Sequence, residues 1–146
     1  KEDFIKILSK DSKNLKLINK CKTEKIKNIF ISTGYLSTLS SLKKLLKNIK
    51  FKKINLIYTN LKNKNTKTDL NQIRKIRESL NLQVSYGNHS VCLDAIPDSV
   101  FFLPKAIFFY VKLGGSDINF PDDKHAVKLG KIDTIIKKIN KNLKML

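Results

Sequence analysis

Acidic side chains are in short supply: twelve Asp and Glu stand against thirty Lys and Arg, a formal net charge of +18 on 146 residues. A small folded domain with this imbalance repels itself, so a polyanion is the expected partner. Arginine is nearly missing, with only Arg74 and Arg77. Lysine is a hydrated point charge that suits phosphate contacts more than bidentate reading of bases. A coding bias towards AT accounts equally well for lysine over arginine, but not for the shortage of acids. The two cysteines, Cys21 and Cys92, lie far apart with no metal-like spacing. This excludes a disulfide framework or a zinc pattern and points to reduced thiols. No apolar run approaches the ~20 residues of a membrane span. The longest, 100–113, is interrupted by Pro104 and Lys105. Walker loops, dinucleotide fingerprints, internal repeats and low-complexity linkers are absent from the sequence.

What is present reads as a folded domain. Apolar residues make up 41%, too many for disorder despite the charge. A chain this long buries roughly 70% of the surface its unfolded form exposes. A start at Lys1 rather than Met is read as a processed form or fragment. Phe4, Ile5, Leu8, Leu15 and Ile18 fall at roughly helical spacing. The run 29–31 is a buried strand ending in Ser32-Thr33-Gly34. From Thr38 the pattern turns helical, with Leu39, Leu42, Leu45, Leu46 and Ile49 on one face and Lys43, Lys44 and Lys47 off it. A second strand is expected at 54–58. A helix then follows whose buried face is Leu70, Ile73, Ile76 and Leu80, with Thr66 or Thr68 as cap. Residues 82–86 alternate as a strand, and a short turn or helix over 90–96 stops at Pro97. Residues 100–103 and 106–113 are read as one or two central strands. Ile132, Ile135, Ile136, Ile139 and Leu143 mark an amphipathic closing helix. Alternating strands and helices predict an α/β chain: a three-layer α/β/α sandwich with a mixed, largely parallel sheet of four to five strands. The organisation expected is a single domain over 1–146, with a helical segment at 1–27, a core at 28–119 and a helical extension at 120–146.

Ligands in such folds gather beyond the carboxyl ends of the strands. Three loops qualify. The first holds Ser32, Thr33, Gly34, Tyr35, Ser37 and Thr38, the second Asn60, Lys62 and Lys64, and the third Gly87, Asn88 and His89. With Lys43, Lys44 and Lys47 they offer hydroxyls, amides, ammonium groups and close backbone approach, a set suited to a sugar–phosphate chain. An ordinary polar loop is the plain alternative for each. His89 and His125 show no matching Cys or Asp pattern, so no metal site is read. Asp122-Asp123 is read as a helix start or loop. Tyr35 and Tyr86 suit base stacking and core packing equally.

Two resemblances follow from particular residues. Ser32-Thr33-Gly34-Tyr35, Ser41-Leu42-Lys43, the strand ending Thr59-Asn60, Ser85-Tyr86-Gly87-Asn88-His89 and Gly114-Gly115-Ser116-Asp117-Ile118 together resemble the kink-turn RNA-binding ribosomal protein superfamily. The nearest version is its large-subunit protein-thirty family. Residues 53–96 also look like the related substrate-binding domain of RNA ribose methyltransferases. Separately, Ile29-Phe30-Ile31-Ser32-Thr33-Gly34-Tyr35, with Lys105 and Gly115-Ser116-Asp117-Ile118-Asn119, is similar to phospholipase-D-like nucleases. There Leu103 replaces the nucleophilic histidine and Tyr110 the aspartate, which implies a catalytically degenerate relative.

These resemblances imply a non-catalytic RNA-binding component of a ribosome or other ribonucleoprotein. Its partners would be rRNA and neighbouring subunits, with no membrane span, metal or small-molecule cofactor. The expected location is a cytoplasmic ribonucleoprotein, or alternatively a mitochondrion or plastid.

Overall fold

The computed structural model describes residues 4–23, 26, 28–34, 36, 38–49, 53–61, 68–114 and 122–146. Strand β1 (Phe4–Ile7) leads to α1 (Leu15–Thr23), β2 (Asn28–Ser32), α2 (Leu39–Lys47), β3 (Lys53–Tyr58), α3 (Asn71–Leu80) and β4 (Gln83–Gly87). A short α4 (Ala95–Asp98) runs into a 3-10 turn at Ser99–Phe102. Then come β5 (Ile107–Phe108), β6 (Val111–Lys112), β7 (Val127–Lys128) and α5 (Ile132–Leu143).

Five strands form one sheet in the order β1-β2-β3-β4-β5, every neighbouring pair parallel. The α/β class and the largely parallel five-stranded sheet expected from the sequence are therefore present. The order never reverses. Because parallel crossovers are right-handed, each helix returns on the same, outer side of the sheet. The sheet is also strongly curled. In a flat sheet β2 and β5 would lie roughly 14 Å apart, three steps of about 4.8 Å. Yet the rings of Phe30 on β2 and Phe108 on β5 have centroids 5.5 Å apart. Lys6 Nζ, on β1, lies 5.5 Å from the Phe108 ring. The architecture is that of part of a β/α barrel.

Strand register sorts the side chains. Ile7, Ile29, Ile31, Leu56, Tyr58, Val84 and Tyr86 face outwards into a core completed by Ile18, Leu42, Leu45, Ile73 and Ile76 from the helices. The alternate positions, Lys6, Phe30, Asn55, Ile57 and Ser85, line the concave face. Tyr110, between β5 and β6, accepts a hydrogen bond at its carbonyl from Val127 N (2.8 Å), so the extended stretch through β6 passes the pairing on to β7. A second core of Ile96, Val127 and Ile135 seats α5 on α4.

Several segments differ from expectation; the short helix expected over 90–96 and stopped by Pro97 is instead Ala95–Asp98, with Pro97 inside it. Phe4–Ile7, read as the start of a helix, is a strand. Ile5 and Ile7 are β-branched and two apart, and pairing with β2 outweighs the weak helical spacing. Residues 100–103, read as strand, fall in a 3-10 turn over Ser99–Phe102 closed by Leu103 at φ 52°. Pro104 disfavours helical backbone at the residue before it, so the turn ends there. Ser99 Oγ donates to Ile96 O (2.7 Å) and fastens the turn to α4.

Candidate metal centre

The carboxyl ends of the parallel strands open on one mouth of the sheet. The turn after β4 is braced by Asn88. Its Oδ1 accepts from Tyr86 Oη (2.8 Å), its Nδ2 donates to Ser90 O (3.0 Å) and its N donates to Phe108 O (2.8 Å). With Asn88 held in the interior, His89 projects into the mouth. There its ring lies 4.8 Å from that of His125 and 5.6 Å from that of Tyr110, centroid to centroid. Tyr110 and His125 are 5.5 Å apart, closing a triangle of rings. Asp122 completes the group, its Oδ1 3.0 Å from His125 Nε2.

His89, Asp122 and His125 each present a ligand atom, all within 4.8 Å of one another. Two imidazoles and a carboxylate suit a divalent transition metal. Ligand atoms around a tetrahedral zinc lie about 3.3 Å apart, given bonds of about 2.0–2.1 Å. The donor set thus fits a cation after a modest inward shift of the rings. His125 is 1% exposed, so its imidazole is fixed by packing. Burial and the adjacent Asp122 hold the Tyr110 phenol above its ordinary pKa, keeping it protonated as a donor. Lys6 Nζ, 5.9 Å from the Tyr110 ring, brings a positive charge to the same region.

Of the residues expected to bind RNA, only His89 enters this cluster. Ser32, Thr33 and Asn88 are buried, as are Gly34 and Gly87. Ser32 Oγ is spent on Thr59 Oγ1 (3.1 Å) and Thr33 N on Ile57 O (2.9 Å). Thr38 caps α2 by accepting from Ser41 N (3.1 Å). Asn60 is half-buried beside the cavity between the ends of β2 and β3 and the start of α3. Lys43, Lys44 and Lys47 are exposed on α2 and take no part in the cluster. Tyr35, Ser37, Lys62 and Lys64 lie outside the described residues, as do residues 115–119 of the two resemblances. Sequence spacing misses Asp122 and His125, which stand more than thirty positions from His89. The one available signal is that the chain has just two histidines.

The NeuB family model matches residues 1–146. The chain belongs to the NeuB family. No curated protein matches it. A sialic acid synthetase from Leptospira borgpetersenii shares 14% identity over 98% of this chain and 50% of its own, with a TM-score of 0.83. A spore coat polysaccharide biosynthesis protein from Bacillus subtilis shares 18% identity over 95% of this chain and 40% of its own, TM-score 0.77. A truncated 3-deoxy-D-arabino-heptulosonate 7-phosphate synthase from Thermotoga maritima shares 16% identity over 98% and 59%, TM-score 0.75. At these identities the solved structures establish the fold, and the chain spans about half of their length.

NeuB membership corrects the functional expectation. The RNA-binding and ribosomal reading, its rRNA and ribonucleoprotein partners, and the ribose methyltransferase and phospholipase-D-like alternatives all fall. The expectation of a non-catalytic protein falls with them, because the solved neighbours include a sialic acid synthetase and a 3-deoxy-D-arabino-heptulosonate 7-phosphate synthase. Those resemblances rested on short turn motifs that any parallel β/α unit repeats at its strand ends. No described helix is long and apolar enough to cross a membrane.

Proposed function

We propose that this chain forms the metal-holding wall of a biosynthetic barrel enzyme that makes a sialic-acid-type sugar acid for a surface polysaccharide. The observation that carries the reading is the convergence of His89, Asp122 and His125 at the carboxyl ends of the strands, where barrel enzymes place their chemistry. Family membership and the named roles of the solved neighbours support the product class. A divalent cation held by these residues supplies Lewis acidity towards a carbonyl oxygen. Tyr110 holds a phenolic proton beside it, and Lys6 attracts the carboxylate of an acidic substrate or product.

Calorimetric titration with Mn2+ and Zn2+ tests this. The wild-type chain should take up one equivalent. His89→Ala and His125→Ala should each weaken uptake by more than the roughly 10–100-fold that loss of an outer-shell partner costs. Unchanged affinity in both variants overturns the assignment.

A further inference from the structure

Neighbouring helices on a parallel sheet close the gap between them with interlocking side chains. Helix α2 packs on α3 in this way, but makes little direct contact with α1. Ser41, Lys44, Leu45 and Asn48 stand three and four apart on α2, so they share one face. With Leu36, and with Lys13 and Leu15 at the start of α1, they line a cavity of about 450 Å³. It follows α2 for two turns, about 10 Å. Ser41 and Asn48 are polar where bulky apolar residues would shut the gap.

The lining has two chemical parts. Leu36 and Leu45 are buried, while Leu15, in the same cavity, is 37% exposed and leaves apolar surface in water. Lys13 and Lys44 are exposed, and neither ammonium group has an ion-pair or hydrogen-bond partner among the described residues. No carboxylate or aromatic ring is among the described lining residues. Ser41 Oγ is spent on Thr38 Oγ1 (2.8 Å) and Asn48 Nδ2 on Lys44 O (3.0 Å). The two ammonium groups are therefore the donors that a ligand would meet.

We propose that this groove is a second binding site, for a single-chain amphiphilic anion. Its alkyl tail lies along Leu15, Leu36 and Leu45, and its carboxylate or phosphate head is within reach of Lys13 and Lys44. The volume falls in the range of small-molecule pockets, and the lack of aromatic lining disfavours a nucleotide base. A bare phosphate leaves the leucines uncovered. A helical peptide needs a longer seat than two turns, and a second copy of this chain is repelled by its +18 charge. The groove lies between two helices outside the sheet, so it does not depend on the metal cluster.

Titration calorimetry on the whole chain tests the proposal, with octanoate and octyl phosphate as probes. Octanol supplies the tail without the charge, and acetate and inorganic phosphate supply the charge without the tail. At least one probe should bind saturably and at least tenfold more tightly than octanol and than its tailless counterpart. The tighter of the two tells carboxylate from phosphate recognition. Lys13→Gln combined with Lys44→Gln should weaken binding roughly tenfold, the loss of about 1.4 kcal/mol. Ser41→Leu fills the groove and should abolish binding; the paired lysine variant keeps the test intact if Ser41→Leu misfolds. Lys43→Gln combined with Lys47→Gln removes the same charge from α2 outside the groove and should leave binding unchanged. Four results each overturn the proposal: no saturable binding of either probe, octanol binding as tightly as the better probe, full affinity in the Lys13 and Lys44 double variant, or an equal loss in the Lys43 and Lys47 double variant, which would reduce the effect to net charge.

Discussion

Tyr58 and Tyr86 show how single side chains tie this fold to pH. Burial pushes both phenols from 10.0 up to about 12, with Asp69 adding to the shift of Tyr58. Both groups are protonated in the folded and unfolded chain below pH 10, so their contribution is intact there. Between about 10 and 12 the unfolded chain loses protons that the folded one keeps, and stability falls at roughly 1.4 kcal/mol per pH unit for each tyrosine. Denaturant midpoints measured across that window should drop steeply, and Tyr58→Phe should make the drop shallower. Gly87 is a second sensitive position. A Cβ there would stand 2.6 Å from Thr59 Cγ2 and 2.9 Å from Ile57 Cγ2, both branched side chains in a packed strand. Gly87→Ala should therefore cost about 1–3 kcal/mol in chemical unfolding, and adding Thr59→Ser should recover part of it. The sequence announces Gly87 as a strand end but not the close approach of β3, which exists only once the sheet is formed. His89 is likewise visible as a loop residue, while its meeting with His125 depends on β7 pairing beyond β5.

The elements most legible in the sequence are those whose period and punctuation agree. Helices α2, α3 and α5 carry apolar stripes at helical spacing, and β2, β3 and β4 are short apolar or alternating runs ended by polar residues or glycine. Thr38 caps α2 as its position suggests, and Thr38→Ala should destabilise the protein by about 1 kcal/mol. Asp69, in place of the expected threonine, receives Asn71 N (3.1 Å) at the start of α3. Strand β1 and the turn at Ser99–Phe102 were illegible because apolar runs this short fit either period, and tertiary partners decide. Helix α5 matters beyond itself. Through Ile135 it holds Val127, two residues from His125, against Ile96. Ile135→Ala should cost about 2–5 kcal/mol in thermal or chemical unfolding. It should also lower metal affinity, although the residue is no ligand.

For the whole molecule, the charge of +18 expected to attract RNA instead acts on the protein itself. Only a few described ion pairs offset it, among them Lys112–Asp123 and Lys138–Asp94. Self-repulsion of this kind is screened over about 10 Å at 0.1 M salt. The thermal midpoint should accordingly rise between low and moderate NaCl at neutral pH, and a flat or falling curve would show that the lysines are already compensated. Strand order is the property that composition and periodicity could not reveal, since flat sandwiches and barrels share the same alternation of elements. That order also bears on synthesis. Partners such as Ile29 and Ile54, or Leu56 and Val84, lie some 25 to 28 positions apart, always with the earlier strand already in place. Each new β/α unit can dock on the trailing edge as it leaves the ribosome, without waiting for later sequence or displacing what has formed. A nascent chain halted after α3 should then already protect β1 to β3 from protease.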